Sequence, residues 1–213
     1  MERDLRKLNA KGLSRKEILR KLKELLDKER LNHSLGVAEL AVKLAERYGY
    51  DPAKAELAGL VHDCAKCMSP AMLMKKIRDY GIELDEVERE YPPLWHAPVS
   101  AHLARREFGV EDEEILRAIR LHTTGDAEMT LLDKIIYVAD YADPTRDYPE
   151  SEEIREMALK DLDLAWLHTA KRKLIYVIKK EKVLIHPRTV ATHNSAVKAV
   201  MGNQTMKGGK RSG

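Results

Sequence analysis

His33, the adjacent pair His62-Asp63 and the distant Asp140 offer imidazole and carboxylate donors from three separate amphipathic stretches. Donors arriving from several sides are what a cation needs in order to be gripped. Asp140 stands in the apolar run IIYVADYAD, where an unpaired carboxylate would cost several kcal/mol to bury. A cation, an arginine or a set of N–H donors must offset that cost. Any one of these residues alone reads more readily as a satisfied structural polar group; the joint pattern changes that. His62 and Asp63, as neighbours on one helix, project about 100° apart. They reach one ion only if it lies at a helix end or a kink.

Mixed imidazole and carboxylate donors suit iron, manganese or zinc. Such an ion acidifies a bound water and neutralises phosphoryl oxygens, so phosphoanhydride hydrolysis is the natural reaction. His96 and His122 lie between the other donors in similar apolar surroundings. They suit either the coordination of a second ion or donation to a phosphate. His122, near a helix end, also reads as a cation facing the helix dipole. Arg30 falls one helical turn before His33, and Arg146 follows Pro144 just past the Asp140 segment. Guanidinium groups grip phosphate bidentately. Arg105, Arg106 and Arg117 fall on charge-rich faces and read as solvated, and His102, His168, His186 and His193 as surface or packing residues.

The elements that must position these groups are helical, because spacings of three and four recur and strand-like alternation is nearly absent. Ser14 and Glu17 form a capping box before Ile18, Leu22, Leu25 and Leu26. A second helix carries His33, Val37, Leu40, Ala41 and Leu44 on one face and stops near Gly49. Asp51-Pro52 opens a third, which runs into His62-Asp63. Ser69-Pro70 starts a fourth, to about Tyr80. Pro92-Pro93 breaks the chain just before a helix that begins near His96. Asp112 opens the helix whose last turn holds His122, with Gly125 as its stop. Another carries Asp140 and ends at Pro144. Residues 151–180 read as one or two helices and 188–201 as a short last one, followed by a frayed, Gly-rich end.

Bulk composition agrees. The 213 residues are 44% hydrophobic and 34% charged, enough for one domain with a sizeable core. No apolar run approaches the roughly 20 residues that span a bilayer, and the first residues show no secretory h-region. A cytoplasmic protein is expected. Charge is uneven: residues 1–30 hold 11 Lys/Arg against 6 Asp/Glu, 31–170 hold 16 against 28, and 171–213 hold 11 against 1. Basic ends around an acidic body can steer an anionic substrate, although most of these charges read as solvated surface. Cys64 and Cys67 form a single C-x-x-C with no second pair, which a structural zinc site requires; small packing residues are the expectation.

The segments RLNHSLGVAELAVKLAERYG, AELAGLVHDCAK, LWHAPVSA, AIRLHTTG and LLDKIIYVADYADPTR resemble, in order and spacing, those of the YqeK subfamily of HD-domain proteins. The resemblance spans about residues 28–190. It implies an all-α fold, a single HD-domain helical bundle with the metal site between helices, and symmetrical hydrolysis of diadenosine tetraphosphate to two ADP with iron bound. On that reading residues 1–27 are an N-terminal helical extension of the same domain, 28–190 the HD metal phosphohydrolase domain, and 191–213 a basic C-terminal helix and flexible tail. It implies His33, His62, Asp63 and Asp140 as metal ligands, with the His62-Asp63 pair catalytic. Arg30, His96, His122 and Arg146 are implied to contact the nucleotide phosphates, beside His33 and Asp140. The family's usual Glu and Asn are here Asp143 and Thr145, with Arg146 kept, and His193-Asn194 stands where a Tyr-Asn pair is typical.

Two other readings compete. Within the same fold, the substrate is another nucleotide, such as a guanosine polyphosphate or a mononucleotide. From a different class, the basic C-terminal segment binds nucleic acid through phosphate neutralisation, but no recognised module or aromatic platform accompanies it. A single amphipathic pattern does not fix the oligomeric state, and a homodimer stays open.

Overall fold

Each helix begins where a short polar side chain can take up loose backbone amides. In the computed structural model, which describes residues 3–147 and 149–209, Ser14 and Glu17 close a capping box on α1 (Arg15–Leu25). Asp27 caps α2 (Lys28–Tyr48), which ends on left-handed Gly49. Asp51 caps α3 (Pro52–Val61) with Pro at its first position, and Ser69 does the same for α4 (Pro70–Tyr80). A single cap of this kind is worth about 1 kcal/mol, so these residues set where each helix starts rather than whether the fold is stable. The short α5 (Glu86–Glu90) precedes α6 (His96–Phe108), α7 (Glu113–Leu121) and α8 (Leu131–Ala142). Then come α9 (Pro149–Lys160), α10 (Leu162–Ile178) and α11 (Pro187–Gly209). No strand occurs among the described residues.

The all-helical expectation holds, with one boundary corrected. The last helix spans 23 residues, Pro187–Gly209, not the short element expected over 188–201. Ala196 is fully buried and Ala199 packs on the core, so α11 stays docked along α10 and carries Gly202 within it. A lone Gly costs only about 1 kcal/mol in a helix, too little to stop one anchored by packing. Of the frayed end, residues 202–209 are helical and 210–213 lie outside the described residues.

Two close approaches set the geometry of the centre. A Cβ on Gly59 would fall 2.7 Å from the Ala38 backbone, so only glycine lets α3 lie this tightly on α2. A Cβ on Gly36 would meet Asp143 Oδ1 at 2.7 Å, so glycine also lets the end of α8 close onto α2. Around them α7 packs on α3 and α8, and α10 backs α8. Leu40, Leu44, Leu57, Leu60, Ile119, Ile136 and Tyr137 are buried between these helices. Burial of each such side chain contributes roughly 1.5–3 kcal/mol, and that holds together α2, α3, α7 and α8, which carry most of the site. Leu5, Ile18 and Leu22 bring the N-terminal segment into the same core.

Candidate metal centre

Helix ends present the polar groups. α3 stops at Val61, so His62 is its C-cap and Asp63 lies just beyond; α7 likewise ends one residue before His122. His122 was expected inside the last turn and stands instead at the cap. His96 is the first residue of α6, His33 lies on the buried face of α2, and Asp140 in the last turn of α8.

The four imidazoles share one arrangement. Nδ1 of His62, His96 and His122 lies 2.8, 2.8 and 2.7 Å from the carbonyls of Gly59, Pro93 and Ile119, and Nδ1 of His33 lies 2.9 Å from Asp143 Oδ2. A carbonyl only accepts, so each Nδ1–H donates and each Nε2 turns inward. The Nε2 atoms meet carboxylates there. His33 Nε2 is 3.3 Å from Asp140 Oδ1 and 4.0 Å from Asp63 Oδ2. His62 Nε2 is 3.8 Å from both Asp63 Oδ2 and Asp140 Oδ1. On the other side of Asp63, Oδ1 lies 3.3 Å from His96 Nε2 and 3.2 Å from His122 Nε2, and those two nitrogens are 3.2 Å apart. His33, His62 and Asp63 bring donor atoms within 4.8 Å of one another, close enough to hold an ion, and Asp63, His96 and His122 do the same, with Asp63 common to both.

Buried lone pairs facing one another are costly unless a cation lies among them. His33 Nε2, His62 Nε2 and Asp63 Oδ1 have no hydrogen-bond partner, and this donor set fits a metal ion. The electrostatics favour positive charge. Burial opposes the charged form of His33, yet the carboxylates of Asp140 and Asp143 outweigh it and lift its pKa to about 9. Asp63 stays well below the usual carboxylate range despite its burial, because His62, Lys66 and His96 surround it. Asp140 does so beside Lys173, His33 and His62. Burial, with Lys66 nearby, pushes His96 down to about 3, and burial also lowers His122. The His96 ring is therefore neutral near neutral pH, which fits coordination of an ion. The lowering at His122 runs against a cation on the helix dipole.

A cavity of about 640 Å³ opens over the carboxylates, walled by Arg30, Asp63, Lys66, His122, Asp140, Arg146 and Lys173, with Tyr141 and Tyr176 also lining it. Arg146 reaches Asp140 Oδ1 at 3.7 Å and Asp143 Oδ2 at 3.2 Å. All eight residues singled out in the sequence thus converge on one place. Three residues escaped that reading. Asp143 anchors His33. Lys66 stands 2.9 Å from His96 Nε2, and its position three residues past Asp63 was the available signal. Lys173 donates to Asp140 Oδ2 at 3.0 Å and to the His122 carbonyl at 2.6 Å; nothing in its neighbourhood on α10 announces that. Cys64 is buried, its thiol pushed up to about 12, as a packing residue would be; Cys67 is instead exposed, its thiol 3.5 Å from Asp27 Oδ2. His102 stacks on Tyr80.

A second cavity, about 550 Å³, lies between Arg3, Arg15, Gly36, Glu56 and Thr145. It lacks the imidazole cluster and carries none of this chemistry.

The HD-domain family model matches residues 30–145. A bis(5'-nucleosyl)-tetraphosphatase (symmetrical) of Bacillus subtilis (strain 168) is 43% identical over 85% of this chain and 97% of its own. One from Staphylococcus aureus (strain NCTC 8325 / PS 47) is 39% identical over 79% of this chain and 87% of its own. Among solved structures, a predicted HD superfamily hydrolase involved in NAD metabolism from Clostridium acetobutylicum superposes with a TM-score of 0.82 at 37% identity. It covers 88% of this chain and 98% of the other.

Proposed function

The chain belongs to the HD-domain family, and we propose that it is a metal-dependent symmetrical hydrolase of diadenosine tetraphosphate, releasing two ADP. The observation that carries this reading is the convergence of four inward Nε2 atoms and two carboxylates at the base of a cation-walled cavity. His33, His62, Asp63 and Asp140 would hold one ion. Asp63, His96 and His122 would hold a second, with Asp63 shared. Imidazole and carboxylate donors suit iron, with manganese and zinc as substitutes. When bound, the metal supplies an acidified water and neutralises charge on phosphoryl oxygens.

The remaining steps belong to the chain's own side chains. The carbonyls of Gly59, Pro93 and Ile119 and the carboxylate of Asp143 fix each ring's tautomer and direction, the support that metal-binding histidines need. Arg30 and Arg146 take phosphate oxygens as charge-assisted hydrogen-bond donors. Lys173 holds Asp140 in place and adds positive charge to the same wall. These fixed cations face the oxygens where negative charge builds as the central anhydride opens, without having to reorganise. We read residues 28–190 as the catalytic unit, 1–27 as an extension of it, and 191–213 as a basic appendage. No helix among the described residues is long and apolar enough to cross a membrane, and we assign the protein to the cytoplasm.

The test is the product pattern. The full chain, loaded with iron or manganese, is given diadenosine tetraphosphate and its products are resolved by chromatography. ADP alone is expected. ATP and AMP in equal amounts would mean a different cleavage register and overturn the assignment.

A further inference from the structure

The trio of Asp63, His96 and His122 has a competitor for any ion it would take. The ammonium of Lys66 donates to His96 Nε2 at 2.9 Å and stands 3.9 Å from Asp63 Oδ1. His96 has already committed its Nδ1–H to the Pro93 carbonyl at 2.8 Å, so Nε2 carries the only in-plane lone pair of the ring. One lone pair takes one partner. At this nitrogen Lys66 and a metal ion exclude each other.

Resting on the two-ion reading above, we infer that Lys66 is an internal cation which the second metal ion must displace. This lysine then sets the affinity of the second site and leaves the first almost untouched. No lysine occupies an imidazole nitrogen of the first trio, where His33 Nε2 and His62 Nε2 have no hydrogen-bond partner. Lys173, the other lysine of the cavity, binds a carboxylate oxygen and a backbone carbonyl, so it blocks no imidazole. Lys66 is free to leave. Its side chain is 30% exposed, on a flexible stem, and it lines the cavity that Arg30, Arg146 and Lys173 also wall. Once displaced, its ammonium stays within that cavity, where phosphate oxygens would lie. Filling the second site thereby adds a donor for the substrate.

The experiment is a Mn(II) titration of the metal-free full chain, followed by calorimetry and electron paramagnetic resonance, on the parent and on Lys66→Met. The variant should tighten the second site on the order of tenfold and move the first by less, since there Lys66 touches only the shared Asp63, at 3.9 Å, and blocks no imidazole. Lys66→Gln keeps a donor without the charge and should shift the second site in the same direction by less; it serves if the Met variant is not helical by circular dichroism. Equal tightening of both sites would mean a general charge effect and would overturn the exchange. So would an unchanged or weaker second site in a protein that still binds two ions. One ion at saturation in the parent and in both variants sinks the two-ion reading, and this inference with it. One ion in the parent and two in Lys66→Met is the exchange at its strongest.

Discussion

Two clusters of histidine and carboxylate stand out among the described residues, and they differ in what satisfies their hydrogen bonds. At the start of α5, Glu88 is 1% exposed and receives both arms of Arg120, at 2.5 and 2.8 Å, as well as the Asp85 amide at 3.1 Å. His186 accepts the Arg188 amide at Nδ1, so its Nε2–H donates to Asp85 Oδ2 at 2.7 Å. No buried side-chain nitrogen or oxygen of Asp85, Glu88, Arg120 or His186 is left without a partner. Around Asp63 the pattern is reversed: each Nδ1 is committed to the protein, and the inward atoms of His33, His62 and Asp63 are left without one. The same residue types make a clasp in one place and a cation site in the other. What separates them is where the lone pairs point.

Breaking each cluster should therefore give opposite results. Asp63→Ala removes the carboxylate common to both trios. It should lose bound metal and at least about 1,000-fold in hydrolysis, as the metal's charge stabilisation is worth several kcal/mol, while helical content stays near that of the parent. Full metal occupancy by elemental analysis in the folded variant would end the assignment of Asp63 as a ligand. Glu88→Ala should do the converse. It strands Arg120 and uncaps Asp85, and breaking a buried pair costs about 3 kcal/mol. Denaturant unfolding should register that loss at unchanged metal content. Metal lost from a folded Glu88→Ala protein would erase the contrast between the clusters.

How much of this could be read in the sequence follows from the range over which each cause acts. Caps are local, so Ser14, Asp51, Ser69 and Asp112 marked helix starts that the structure reproduces. The site residues were legible because each polar group interrupts an apolar face and must be satisfied by something. Asp140 in IIYVADYAD is the clearest case. The role of Asp143 was not legible, since its partner His33 is 110 residues away and the contact depends on Gly36 opposite it. Lys173 was hidden for the same reason, as a lysine near the end of a helix gives no sign of pointing inward. The length of α11 depends on its docking along α10, a tertiary effect that periodicity over 188–201 does not carry.

Arg146 sharpens the comparison at the smallest scale, because it belongs to the metal cluster by position and not by coordination. It stands beyond Pro144, 3.7 Å from Asp140 Oδ1 and 3.2 Å from Asp143 Oδ2, with its side chain 32% exposed on the cavity wall. A guanidinium cannot ligate a metal, so Arg146→Ala should leave metal content at the parent level. It should weaken ADP binding, because a phosphate partner is lost. Truncating a fully desolvated pair costs about 2–5 kcal/mol, and exposed pairs cost at most about 1. For a residue partly open to solvent the expectation is about 1–2 kcal/mol, or five- to thirtyfold in Kd. Calorimetric titration of ADP into the metal-loaded variant measures it. Unchanged affinity would mean that Arg146 serves Asp140 and Asp143 alone, as Arg120 serves Glu88, and that the phosphates are held by the other cations of the wall.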